Sequence, residues 1–429
     1  MLAKSKVVNN AKWIIICKVI QSLLQFVIGM LCARYLGPAN YGIINYAASV
    51  VAFALPVMQL GLQCTLVQEF TEKPEREGKI MGTALVMDLV SSVVCIGLVA
   101  AFVSVANAND TDTIIVCLLY SVSLVFRAFE LFQCWFQYKL QSKFPSIVML
   151  CSYVVVSLYR IFLLVTSKSV FWFAVVNSVD YSIIGISLLV IYNRTSDYKL
   201  SFDFSLVKKL FDRSKHYILA SMMVTLFQNT DHIMLKLISG DAENGYYTAA
   251  VTCTSILQFV FVAVADSMRP VILSCKNDGN TTNYEKNISR LYCFGHYMSL
   301  AQAVGFSIFA PLVIRILYGE EYLPSVPVLA IMGFQIIFSY MGSARNIWIL
   351  AEGRQSILWK INLAGAAVNI AINALLIPRL GAVGAAIATL TTQIVTNFIL
   401  GFIIKPLRAN NKLLLKGFNP KYLLDIVKK

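Results

Sequence analysis

Charge is scarce in this chain. Only 14% of its 429 residues are Asp, Glu, Lys or Arg, against about a quarter in a soluble domain, and this excludes an ordinary water-soluble core. Histidine is scarcer still: His216, His232 and His296 are the only three, too scattered to assemble a zinc site. The ten cysteines never form a C-x-x-C pair, and most of them, Cys17, Cys32, Cys95 and Cys117 among them, fall inside apolar runs, where free cysteine serves as a small packing residue. No metal and no cofactor is expected. Also missing is the re-entrant glycine-rich segment of a channel filter.

What is there is hydrophobic. Apolar residues make up 58% of the chain, gathered in twelve stretches that each supply the roughly 20 helical residues needed to cross a hydrocarbon core. The first six cover 13–36, 43–63, 80–106, 113–137, 146–165 and 170–192, and the second six 217–238, 246–268, 291–317, 325–350, 357–377 and 382–404. Backbone polar groups in lipid must be satisfied within the segment, so these are helices rather than strands. The expected fold is an all-α integral membrane protein with about twelve transmembrane helices. Lys4, Lys6 and Lys12 precede the first stretch as they would in a signal peptide, but it is long and leads directly into further spans. An uncleaved first helix is expected.

About 27 of the 36 Lys and Arg lie in the N-terminal segment, the even-numbered connections and the tail, whereas Arg34, Lys168, Arg315 and Arg379 sit at the odd-numbered ones. Both termini are therefore expected in the cytoplasm. A net charge of +14 could suggest nucleic acid, but the charges flank membrane crossings and lack an interleaved aromatic patch, so no nucleic-acid partner is expected.

The chain repeats itself weakly. An offset of 203 aligns Gln25 with Gln228, Gly37 with Gly240, Ala39 with Ala242, Gly42 with Gly245 and Ala47 with Ala250, and an offset of 210 aligns Ser146-Ile147 with Ser356-Ile357. Each half holds six helices, so both enter from the same face and an axis along the membrane normal relates two pseudo-symmetric six-helix lobes. The expected organisation is an N-terminal lobe at 1–192, a basic cytoplasmic linker at 193–216, a second lobe at 217–404 and a basic tail at 405–429. The linker, with Phe202, Phe204, Leu206, Val207, Leu210 and Phe211 between its charges, reads either as a surface amphipathic helix or as a solvated loop. Two bundles meeting at the bilayer midplane would form a cleft that opens to alternate faces, which is transporter architecture. Pro56 is expected to kink the second helix, and Pro38, Pro145, Pro311, Pro324, Pro378 and Pro406 to mark helix ends.

A charge at the centre of a membrane helix costs about 2.5–3.5 kcal/mol on insertion scales, so each one must face the protein interior, find a partner or serve function. Lys18, Gln21, Ser22, Gln25 and Gly29 form a polar stripe on the first helix, and Thr225, Gln228, Asp231, His232 and Lys236 form its counterpart on the seventh. Either a shared cavity wall or interhelical hydrogen bonding would account for the stripes. Arg127 and Glu130 are spaced to pair within the fourth helix. Arg160 and Arg345 have no such neighbour, and Asp88, Asp180 and Asp266 have no visible local partner. Asn362, Asn369 and Asn373 share a face of the eleventh helix, and the twelfth presents Thr389, Gln393, Thr396 and Asn397; such amides more often hold helices together than bind ligand. With Arg34 and Arg315 at the outer mouths, the interior carries a small cationic surplus suited to phosphate or carboxylate.

Four segments then carry a resemblance: Arg34-Tyr-Leu-Gly-Pro-Ala-Asn-Tyr-Gly42, Gly245-Tyr-Tyr-Thr-Ala-Ala250, Leu317-Tyr-Gly-Glu-Glu-Tyr322 and Ile377-Pro-Arg-Leu-Gly-Ala-Val-Gly-Ala-Ala386. In this order and in these connections they resemble the polysaccharide-transport family of lipid-linked oligosaccharide flippases, over nearly the whole chain. The resemblance implies the two-lobed fold of the wider multidrug and oligosaccharidyl-lipid exporter superfamily, in a bacterial cytoplasmic membrane. It implies as cargo an undecaprenyl-pyrophosphate-linked saccharide unit, for O-antigen or capsule, turned from the cytoplasmic to the periplasmic leaflet, and as partners a polysaccharide polymerase and a chain-length regulator. Lys18, Arg34, Arg160, Lys236 and Arg345 are then candidates for the pyrophosphate, and Gln25, Gln228 and Asn369 for sugar hydroxyls. Asp231 with His232 leads the candidates for proton or sodium coupling, ahead of Asp88 and Asp180. Competing readings are an exporter of drugs or small amphiphiles on the same fold and a membrane polymerase or glycosyltransferase. The latter would need a larger external loop than the external connections offer, all of them under about fifteen residues.

Overall fold

The computed structural model describes the backbone of residues 2–422, and side chains from Cys17 onward except those of Lys18 and Phe259. The described chain is helical throughout, in the order α1 (Leu2–Met58), α2 (Leu66–Glu72), α3 (Glu77–Ala106), α4 (Thr111–Ser121), α5 (Ser123–Arg127), α6 (Phe132–Tyr138), α7 (Lys143–Val165), α8 (Val170–Thr195), α9 (Phe204–Ser239), α10 (Asp241–Asn277), α11 (Thr281–Leu317), α12 (Ser325–Ala351), α13 (Leu358–Ile394), α14 (Leu400–Ile403) and α15 (Arg408–Lys416). Among the described residues nine helical stretches are long and apolar enough to cross a membrane. Their outward faces are oily. Val90, Val94 and Leu98, four residues apart on α3, are each more than half exposed, as is expected of a face turned to lipid rather than water.

Nine stretches rather than twelve has three causes. Helix α1 runs through Gly37 and α13 through Gly381, where positive φ values of 72° and 53° break the helix without interrupting the run. Helix α9 is too polar to qualify, since it carries Lys208, Lys209, Arg213 and Lys215 in the same run as Asp231, His232 and Lys236.

The chain divides into two compact units: unit 1 holds the residues up to Leu36 and Ile43–Asn229, and unit 2 holds Gly37–Gly42 and the chain from Thr230. In unit 1 the core joins Leu62, Phe70, Phe132, Trp135 and Tyr192 to Leu206 and Leu210. The residues after Asp203 are thus the first turns of α9, packed by one face into this core, with Phe204 left exposed on the other. Buried Glu69 receives Lys209 Nζ at 3.0 Å and the Arg213 guanidinium, and hydrogen bonds from Arg213 hold the Glu72 carboxyl below the usual carboxylate range. Buried Glu77 receives Lys139 Nζ at 2.6 Å and Trp135 Nε1 at 2.9 Å. In unit 2 Glu352 is held in the same manner by Lys276 Nζ at 2.6 Å and the Tyr284 hydroxyl at 2.9 Å.

Unit 2 also contains the repeat-related turns. A Cβ on Gly42 would collide with the Asp241 carbonyl, and one on Gly245 with the Pro38 carbonyl; Pro38 and Asp241 are themselves 203 residues apart. Two backbones meet there with no room for side chains.

Several local expectations are corrected. Helix α1 ends at Met58, two residues after Pro56, so this proline lies in a closing turn rather than at a mid-span kink. Pro311 lies inside α11 and Pro270 inside α10, which continues to Asn277. Asp266 is therefore still helical, and it pairs with Arg269 three residues on, at 2.9 Å, with both side chains about half exposed. The fourth span is segmented into α4, α5, a 3-10 turn (Ala128–Leu131) and α6, and Arg127 Nε meets Glu130 Oε2 across that turn at 3.3 Å.

Candidate functional site

The densest polar constellation lies in unit 2 and centres on Asp231 of α9. It is 5% exposed, and among the described residues it forms no ion pair within 4 Å with a lysine or arginine. Oδ2 accepts from the Tyr247 hydroxyl of α10 at 2.6 Å and from Thr389 Oγ1 of α13 at 2.6 Å, and Oδ1 accepts from Asn373 Nδ2 at 2.5 Å. Asn373 Nδ2 also reaches Asn369 Oδ1 at 3.0 Å, while Asn373 Oδ1 is buried without a partner among the described residues. The break at Gly381 makes this possible, because it lets the halves of α13 carrying Asn373 and Thr389 both return to one carboxylate. Ionised carboxylates are acceptor-only groups, and a buried one satisfied by neutral donors keeps its full charge locally uncompensated.

His232, the next residue, points elsewhere. Its Nδ1 stands 2.8 Å from Asn244 Oδ1, and Asn244 Nδ2 donates to the Gly42 carbonyl at 2.8 Å. Because the amide nitrogen is used on a carbonyl, its oxygen faces the ring, and His232 Nδ1 carries the hydrogen. The imidazole thus links the carboxylate helix to the glycine turn, with Tyr247 packed edge-on at 5.2 Å.

The other candidates are dispersed. Lys236 is buried near the end of α9 and pairs with Asp241 at 2.5 Å. Arg345 is 4% exposed and donates from Nη1 to the Thr396 carbonyl at 2.6 Å. That carbonyl belongs to a π-helical turn (Val395–Ile399), whose altered register frees backbone acceptors. In unit 1 Arg160 is half-buried and donates to the Tyr153 hydroxyl at 3.1 Å, and Asp180 accepts from Ser152 at 2.6 Å. Asp88 is fully buried, and neither of its oxygens meets a hydrogen-bond partner among the described residues. Gln25, Arg34 and Gln228 are exposed, and the side chain of Lys18 lies outside the described residues. Of the twelve candidates the structure thus joins Asp231 and Asn369 through Asn373, while His232 turns to Asn244 and borders the cluster through the Tyr247 ring. Tyr247 went unrecognised in sequence because a tyrosine in a Gly-Tyr-Tyr run carries no sign that its hydroxyl turns inward.

Among known proteins, a family model described as "Polysaccharide biosynthesis protein" matches residues 7–276, well over half of the chain. The chain belongs to that family. It is 20% identical over 400 residues to the capsular polysaccharide biosynthesis protein CapF of Staphylococcus aureus, covering 90% of this chain and 96% of CapF. It is 24% identical over 264 residues to an uncharacterized membrane protein of Methanocaldococcus jannaschii, covering 59% of this chain and only 51% of that relative, so it spans about half the relative's length. Among solved structures, lipid II flippase MurJ in an inward closed conformation aligns with TM-score 0.74 and 16% identity over 97% of this chain and 93% of MurJ. An inward-facing multidrug resistance MATE family transporter of the MOP superfamily aligns with TM-score 0.67 and 13% identity over 91% and 96%. This family member is therefore an all-helical, multi-pass membrane protein with the MATE and MurJ fold.

Proposed function

We propose that the chain is a flippase that turns an undecaprenyl-pyrophosphate-linked saccharide from the cytoplasmic to the outer leaflet of a bacterial inner membrane. The family supports a place in polysaccharide biosynthesis, and the fold likeness to transporters, a lipid flippase among them, supports movement rather than synthesis. Twelve crossings follow if α1 and α13 each cross twice about their glycine breaks and α9 crosses once despite its charges. The bias of Lys and Arg then puts both termini in the cytoplasm.

One observation carries the mechanism: among the described residues a buried carboxylate, Asp231, is bonded to neutral donors from three other helical segments. A proton or sodium ion bound there removes the charge that holds Tyr247, Thr389 and Asn373 together, and its release restores it. The two arrangements give alternating access a two-state element that an ion gradient can bias. Arg160 and Arg34 are assigned to the pyrophosphate as the half-buried and the exposed guanidinium among the unit 1 candidates, whereas Arg345 and Lys236 are both buried.

Deleting the gene should accumulate intact lipid-linked saccharide in the cytoplasmic leaflet, and wild-type protein should clear it. Should the lipid accumulate instead in the outer leaflet, the flippase assignment fails.

A further inference from the structure

Unit 1 contains a cavity that the Asp231 constellation does not touch. Its volume is about 360 Å³, within the range of small-molecule sites. It is lined by Gln21 of α1, Gln133 and Gln137 of α6, Ser142 just before α7, and Ser146 and Met149 within α7. The polar lining is neutral, and none of the described lining residues is charged. The three amides make no hydrogen bond to another described residue.

That combination selects a ligand class. Each glutamine presents two donors and one acceptor, and with Gln137 exposed and Gln21 and Gln133 half-buried all three are open to a ligand that enters the cavity. A phosphate would call for cations and a cationic amphiphile for acids or aromatic rings, and the described lining offers neither. A neutral, hydroxyl-rich molecule matches the amides and the serines, and its C–H edges match Met149. The cavity adjoins the connection between α6 and α7, which Lys139 and Lys143 flank. This is the basic face, assigned above to the cytoplasm, where the lipid-linked unit would load.

We propose that the cavity is a saccharide subsite, in which Gln21, Gln133 and Gln137 hold sugar hydroxyls of the cargo and so select it by its glycan. The proposal rests on the flippase reading and extends it from the lipid to the sugar. The full-length protein in lipid nanodiscs would be titrated with two probes, read by native mass spectrometry. One is the undecaprenyl-linked saccharide fraction extracted from cells lacking the gene; the other is sugar-free undecaprenyl pyrophosphate. Wild type should bind the saccharide fraction more tightly. The double variant Q133A/Q137A should weaken that binding about tenfold, the scale of losing two or more net hydrogen bonds, while leaving the sugar-free lipid unaffected. If the alanine variant does not fold, Q133N/Q137N, which keeps the amides but withdraws them by one methylene each, serves the same comparison. Equal weakening for both lipids, or none for either, overturns the subsite and leaves the flippase reading standing. A wild type that binds neither lipid overturns that reading and the subsite together.

Discussion

In unit 1 the interior ions are answered singly: Arg127 meets Glu130 three residues away, Arg160 reaches the Tyr153 hydroxyl of its own helix, Asp180 of α8 takes the Ser152 hydroxyl of α7, and Asp88 meets no partner among the described residues. In unit 2 the central carboxylate has no such neighbour, and Asp231 draws Tyr247, Asn373 and Thr389 from distant parts of the chain. Helix-local pairs survive small movements of one helix against another, because both partners ride on the same element. A hub assembled from several segments does not. Unit 2 therefore concentrates in one group the sensitivity to charge that unit 1 spreads over several, although weak repeats relate the two halves of the sequence.

The basic ends of the units offer a second contrast. Each buries one acid between a lysine and an aromatic donor, but Glu77 is 2% exposed and Glu352 is 19% exposed at the side chain. Similar clamps are thus set at different depths.

The sharpest way to break the first comparison is D231N, which keeps the shape but removes the exchangeable charge. Ion-driven clearance of lipid-linked saccharide should be abolished while detergent melting stays near wild type; D180N, whose carboxylate takes a hydroxyl of one neighbouring helix, should retain most transport. Retained transport in D231N would remove the hub from the mechanism. Next in size, G42L drives a side chain into the Asp241 carbonyl, and it should lower folded yield by size-exclusion chromatography far more than the same change at Gly97, which faces open space. The clamps should separate in a thermal melt: E77A should cost about 2 kcal/mol, below the 3–5 expected for breaking a fully buried pair because Lys139 is 34% exposed, and E352A less. A larger cost for E352A would invert the depth argument. Smallest are the surface pairs. D266N should shift the melting midpoint within the few tenths of a kcal/mol typical of exposed ion pairs. Because Arg213 holds the folded Glu72 carboxyl below its ordinary range, its contribution is present above the unfolded value and fades as pH falls through the depressed one. Wild type and E72Q should therefore melt alike at acid pH and diverge slightly near neutrality.

Much of this molecule could be read from the one-dimensional pattern. Hydropathy marked a multi-pass helical chain, and the cost of intramembrane charge put Asp231 among the ionisable residues that need an explanation. Asn369, Asn373 and Thr389 were also visible, but as helix-packing amides and hydroxyls, because a residue's own helix reveals its face and not what lies opposite. Where a span ended was less legible. Placing the eighth span's end at Met268 separated Asp266 from Arg269, whereas α10 carries both on one face. Leu206 and Leu210 were legible as an apolar face, yet nothing local distinguished a face resting on lipid from one seated in the unit 1 core.

Sequence alone determined that the chain is helical and lives in a membrane, since those properties follow from runs of apolar side chains and from the need of every peptide group for a partner in hydrocarbon. It also supplied the polar residues and their spacing. Which of them meet was decided only in three dimensions, where breaks at Gly37 and Gly381 redirect whole helices. Hydrogen bonds act over about 3 Å, and side chains such as Asp231 and Thr389, 158 residues apart, come that close only through the packing of everything between them.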